Sequence, residues 1–140
     1  MLRRVFDKIS VTAVDNMFSK YRTMWITDTV KADGVEWLKR NEGGKDKVLL
    51  LVYPITTGNF TRRIFEAYTG DTVIIVGTQN QNRLTGFSDF TIEDWFTGIN
   101  MAANQAGERG WRLEIRIALP SFAGKDEAMS VWRKLDGAST

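Results

Sequence analysis

The sequence contains no cysteine and no histidine. Without cysteine there are no disulfides, no thiolate nucleophile and no Cys-ligated metal. Without histidine the commonest general base, every Ser-His-Asp arrangement and the commonest zinc ligand are gone. No apolar run approaches the ~18 residues that span a bilayer, and the opening "MLRRVFDKIS" has basic residues but no apolar core of a secretory signal. No long tract of one charge occurs, so a nucleic-acid partner is not expected. There is also no internal repeat, linker or low-complexity segment. What is present fits one domain spanning residues 1–140. It is 43% hydrophobic with five Trp, at a net charge of +2. An intracellular, cytoplasmic protein with a packed core and no membrane association is the expectation.

The most informative stretch is "KVLLLVYPITTGN", Lys47 to Asn59. Its apolar and aromatic residues run without alternation, then polar and small residues take over. A strand apolar on both faces belongs inside a layered sheet. "DTVIIVGT", Asp71 to Thr78, is a second strand of this kind. Between them "FTRRIFEAYTG" reads as a helix over Phe60–Thr69, with Asn59 as its cap and Phe60, Ile64, Ala67 and Tyr68 facing in. Two such strands joined by one helix predict a parallel, central pair.

The remaining elements follow from caps and periods. Leu2–Lys8 reads as a short helix, Ile9–Asp15 as β-branched, and Thr23–Val30 as a possible strand. Asp33 stands at the N-cap of "GVEWLKRN", and Thr91 caps a helix through "IEDWFTGINMAANQAGERG". Trp111–Leu119 alternates apolar and charged residues. Leu113, Ile115 and Ile117 should therefore face one way and Arg112, Glu114 and Arg116 the other. Ala128–Leu135 should pair with it as an antiparallel hairpin at the sheet edge. The predicted class is α/β, three-layered, with a mixed, mostly parallel sheet.

Taken in order, the segments "VTAVD", "VKADGVEWLKR", "LLLVYP", "IFEAYTGDTVIIVGT", "LTGF", "EDWF" and "SVWRKL" resemble a group of S-adenosylmethionine-dependent methyltransferase-like proteins of the Rossmann-like class. The resemblance covers Leu2 to Leu135. It implies that Asp15 lies where an acid binds ribose hydroxyls, and that Asp33 lies near the adenine. It places Tyr53, Pro54, Thr56 and Gly77 on the substrate side. The plainer readings are a turn-capping Asp15, a helix-capping Asp33, and a strand-ending Pro54. No catalytic residue and no metal site follow from it.

The family's first strand and glycine-rich turn, whose backbone approaches the cofactor, have no counterpart before "LRRVFDKISVTAVD". Thr56 stands where the family has a tyrosine, and Thr78 where an acid often follows "VG". These departures imply an incomplete methyltransferase-type topology, missing its first strand. The expected function is a methyltransferase-like domain that is not catalytic as this chain stands and holds no cofactor. S-adenosylmethionine is the expected cofactor if a complete site exists, as in a truncated form of an active enzyme. The alternative is a ligand-binding or protein-interaction scaffold, with a homo-oligomer or protein partner. A missing first strand would leave the edge of Lys47–Tyr53 to be closed by Thr23–Val30 or by a second chain.

Overall fold

In the computed structural model the described residues are 9–18, 28–54, 59–79, 91–120 and 126–137. They form an α/β structure with two sheets. Strands β1 (Val14–Asp15) and β2 (Val30–Lys31) make a small parallel pair. Strands β3 (Leu49–Val52), β4 (Thr72–Thr78), β5 (Trp111–Ala118) and β6 (Glu127–Lys134) form a mixed sheet in the order β3-β4-β6-β5. As predicted, β3 and β4 are parallel neighbours, and β5 and β6 are antiparallel. The last strand also pairs antiparallel with β4, so it lies inside the sheet, and among the described residues β5 lies at its edge.

Helices α1 (Gly34–Arg40), α2 (Phe60–Ala67) and α3 (Ile92–Ala106) start and stop for local reasons. Asp33 Oδ1 accepts from the backbone N–H of Val35 and Glu36, and α1 closes with Lys39 and Arg40 near its negative end. Thr91 Oγ1 accepts from Asp94 N at 3.1 Å, and Gly107 ends α3 at φ 70°. The left-handed residue lets the Glu108 and Gly107 amides return to the last carbonyls. Asn59, expected to cap α2, makes no side-chain cap bond there.

All three described helices pack on one face of the main sheet, so the described residues form two layers and not the three expected. Paired residues share a face and consecutive residues alternate. Leu49 and Leu51, Val73 and Ile75, Trp132, and Trp111 and Leu113 fall on the helix side, together with Val35, Leu38, Ile64, Ile92 and Phe96 in one cluster. Phe96 stacks on Trp132 with ring centroids 3.8 Å apart, and Phe65 meets Trp95 edge-on at 4.6 Å. Trp37, Trp95, Trp111 and Trp132 thus pack in or against the core; Trp25 lies outside the described residues. Asn100 pins the start of β5 to α3: its Nδ2 donates to Trp111 O, and its Oδ1 accepts from Trp111 N.

Three further expectations are corrected. The two-faced strand Lys47–Tyr53 is parallel to β4 but not central: among the described residues β3 is an edge. Its Val48, Leu50 and Val52 are exposed because the helices cover only the other face. Second, β5 does not keep its alternation. The register slips between Leu113 and Ile115, so Leu113 pairs with Trp132 and Ile115 with Val131. A bulge puts one extra residue into a strand. Ile115 and Ile117 are thereby turned to the face away from the helices, and Arg116 is turned toward α3, where it pairs with Glu93. Third, Val30 joins the small sheet beside Val14 and does not close the edge of β3; residues 23–27 lie outside the described set, as does the Leu2–Lys8 helix.

Tyr68, just past α2, ties the sheet to the helix layer. Its Oη sits 2.6 Å from the Lys47 carbonyl oxygen and 2.8 Å from that of Thr72, and accepts from Thr72 N. Burial first of all raises the phenol above its ordinary value of 10.0. The folded state thus favours the neutral hydroxyl. This stability is complete below the unfolded pKa of 10.0 and lost as pH rises through the higher folded value. Tyr68→Phe should cost about 1–2 kcal/mol at neutral pH through unpaired carbonyls. It should also flatten the fall in stability above ~pH 10, measured by urea unfolding across pH. An unchanged midpoint at neutral pH would contradict this role.

Candidate functional site

The parallel strands direct attention to their carboxyl ends, where loops of open α/β sheets gather ligands. There β3 ends in Tyr53, whose backbone takes the left-handed value φ 46°. A tyrosine in that region is uncommon. The turn is held by Tyr53 N donating to Val76 O at 2.8 Å. It carries the ring alongside Gly77: a Cβ on Gly77 would lie 3.8 Å from Tyr53 Cδ1. Pro54 follows and is buried. Tyr53, Pro54 and Gly77 are therefore brought to one end of the sheet. Thr56 lies outside the described residues.

Two further residues complete this end. Glu127 opens β6 opposite Thr78, and its carboxylate beside the Tyr53 hydroxyl raises the phenol pKa. Gln79 donates from Nε2 to Gly77 O at 3.0 Å, while its Oε1 is buried without a partner. Neither was legible in the sequence. Glu127 is brought there by the register of a strand some fifty residues on in the chain, and no local pattern marks it. A tyrosine held in its protonated form donates hydrogen bonds but is a poor base near neutrality. The group can orient a polar ligand; its geometry supplies no activated nucleophile.

The two acids lie on the small sheet instead. Asp15 ends β1 opposite Lys31, and Ala32 N donates to its carbonyl oxygen at 3.0 Å. This places Asp15 close to Asp33 along the chain of β2. Asp15 Oδ1 accepts from Met17 N at 2.6 Å, and Asp33 Oδ1 holds the first turn of α1. Both plainer readings, a turn cap and a helix cap, are what the geometry contains.

A second concavity lies on the helix side at the opposite end of β4. It is a groove of about 630 Å³ between α2 and α3, floored by Phe65, Trp95 and Trp111. Small residues on α3, Gly98, Ala102 and Ala106, keep it open. Lys134 stands 5.6 Å from the centroid of Trp111, and charges of both signs rim the groove. Among the described residues no group of three or more Asp or Glu is arranged to hold a metal, and no helix is long and apolar enough to cross a membrane.

Comparison with known protein families, with characterised proteins and with solved structures finds no match to this chain.

Proposed function

We propose that this chain is a methyltransferase-like, Rossmann-like domain of intracellular type that does not itself bind S-adenosylmethionine or transfer a methyl group. The observation that carries this reading is the use made of the two candidate cofactor acids. Each commits a carboxylate oxygen to its own backbone, Asp15 to Met17 N and Asp33 to Val35 N and Glu36 N. The parallel β3–β4 pair, its crossover helix and the antiparallel β5–β6 hairpin support the methyltransferase-type order. Methyl transfer needs the sulfonium held in line with a nucleophile. None of the glycines in these 140 residues stands in a Gly-x-Gly spacing, so no backbone cradle of that kind meets the cofactor's polar end. Under this reading Asp33→Ala loses about 1 kcal/mol of stability through the lost cap. It changes nothing in the retention of labelled S-adenosylmethionine on equilibrium dialysis, which stays at background for both proteins. Retention by the wild type that Asp15→Ala or Asp33→Ala abolishes would overturn the reading. An interaction module is the second reading, and the exposed apolar side chains of β3 and β5 favour it.

A further inference from the structure

The dipeptide Asp-Gly occurs twice in the chain, at Asp33–Gly34 and at Asp136–Gly137. It is chemically labile, because glycine has no Cβ to keep its own amide nitrogen from the preceding side-chain carboxyl. The structure puts the two copies in opposite settings. At the first, Asp33 Oδ1 accepts from Val35 N at 2.9 Å and from Glu36 N at 3.1 Å. Gly34 is the first residue of α1 and lies against α2: a Cβ there would stand 3.1 Å from Ile64 Cδ1. Carboxylate and backbone are both fixed. At the second, both residues are exposed and follow the end of β6 at Lys134. The last backbone hydrogen bonds at this end run from Lys134 N to Asp71 O and from Leu135 N to Gly110 O. Among the described residues no hydrogen bond or ion pair holds the Asp136 carboxylate or the Gly137 amide; Asp136 acts on Arg133 through its charge alone. A Cβ on Gly137 would meet only Arg109 Cδ, at 3.8 Å, so the side chain of Asp136 has room to swing round.

We propose that Asp136–Gly137 is a site of spontaneous isoaspartate formation, and that the helix cap shields Asp33–Gly34 from the same reaction. The Gly137 nitrogen attacks Cγ of the protonated Asp136 carboxyl. A C–N bond forms, a C–O bond breaks, and the amide proton leaves with the hydroxyl as water. The product is a five-membered succinimide, which one water then opens at either carbonyl. Cleavage of the new Cγ–N bond restores aspartate. Cleavage of the original peptide C–N bond leaves isoaspartate, with the main chain routed through Cβ and Cγ. One water is released and one consumed, so the mass of the chain is unchanged. At Asp33 the same attack requires the carboxyl to leave both amides of the first turn, which uncaps α1. At Asp136 no such bonds are given up. The conversion lies beyond the hydrogen bonds that close β6, so the sheet is retained.

This inference does not rest on the proposed function. The intact chain is held at body temperature and neutral pH for weeks and then digested with trypsin, which yields Ala32–Lys39 and Leu135–Thr140, each with one Asp-Gly. Chromatography separates the isoaspartyl peptide from its isomer of equal mass, and electron-transfer fragmentation identifies it. The folded chain should convert at Asp136 faster than at Asp33, on the order of tenfold or more. In denaturing urea the two rates should converge, because the cap is gone and the dipeptide is the same. Gly137→Val, whose branched side chain hinders ring closure, should slow conversion at Asp136 about tenfold or more. In water enriched in oxygen-18 the isoaspartyl peptide should carry a heavy oxygen. Equal rates at the two sites in the folded chain, or a faster rate at Asp33, would overturn the proposal. So would the absence of any isoaspartyl form of Leu135–Thr140, or its formation at an undiminished rate in Gly137→Val.

Discussion

Phe96→Ala is expected to lower the free energy of unfolding by about 3–5 kcal/mol. Domains of this size hold only about 5–15 kcal/mol in total. The side chain is 1% exposed and sits where the sheet meets α3. Its ring stacks on Trp132 at an interplanar angle of 11°, and Phe65, Trp95 and Trp111 meet it at 5.6, 5.3 and 6.2 Å between centroids. Truncation removes the area buried by the ring and leaves a cavity whose walls, themselves large rings, collapse poorly. Such aromatic pairs also contribute about 0.5–1.5 kcal/mol beyond their buried area. A drop of about 10 °C or more in Tm should be seen by differential scanning calorimetry, together with loss of the near-UV signal from the coupled tryptophans. Met101→Ala, on the exposed side of the same helix at 62% exposure, should stay within about 0.5 kcal/mol. Equal effects at the two positions would refute the placement of the core.

Gly43→Ala is the second large effect, at about 3 kcal/mol or more. The residue sits at φ 67° between α1 and β3, in backbone that a Cβ disfavours. A Cβ there would stand 2.5 Å from Thr69 Oγ1, 2.6 Å from Thr69 Cγ2 and 2.8 Å from the Ala67 carbonyl oxygen. That last atom is backbone and cannot move aside. The crowding exists because Gly43 is where the turn after α1 locks onto the end of α2: Thr69 N donates to Gly43 O and Thr69 Oγ1 to Glu42 O. Gly107 separates the two causes. It has φ 70° but open space around it, so Gly107→Ala should show only the conformational cost of about 1–2 kcal/mol. Urea denaturation of both variants gives the steric part by difference; indistinguishable midpoints would contradict the close approach of Gly43 to α2.

These residues also mark what can be read from sequence. Elements whose limits are local were legible: Asp33 and Thr91 are the caps they resemble, and β4 is the apolar run from Thr72 to Thr78. The Lys47–Tyr53 run was read as doubly covered, because an apolar residue at every position signals burial on both faces. In the structure its helix-side residues Leu49 and Leu51 are half-buried and buried, and Val48, Leu50 and Val52 are exposed. The run thus records a surface that the described helices leave bare. The alternation of β5 was misread because a bulge is a matter of pairing register, and "RLEIRI" is equally regular with or without it. At the candidate site, Tyr53 and Gly77 could be foreseen as strand ends. Glu127 and Gln79 could not, since only the order β4-β6 brings them together.

Calorimetric titration of the intact chain with S-adenosylmethionine and S-adenosylhomocysteine decides whether this methyltransferase-like domain binds the cofactor. Polar contacts from Asp15, Asp33 and the Tyr53 end would give at most one wall of a pocket, and every ligand group left without a partner weakens binding. No measurable heat of binding is expected for either ligand. A dissociation constant in the low micromolar range for S-adenosylmethionine, lost on Asp15→Ala, would contradict that expectation and make the chain a cofactor-binding methyltransferase domain.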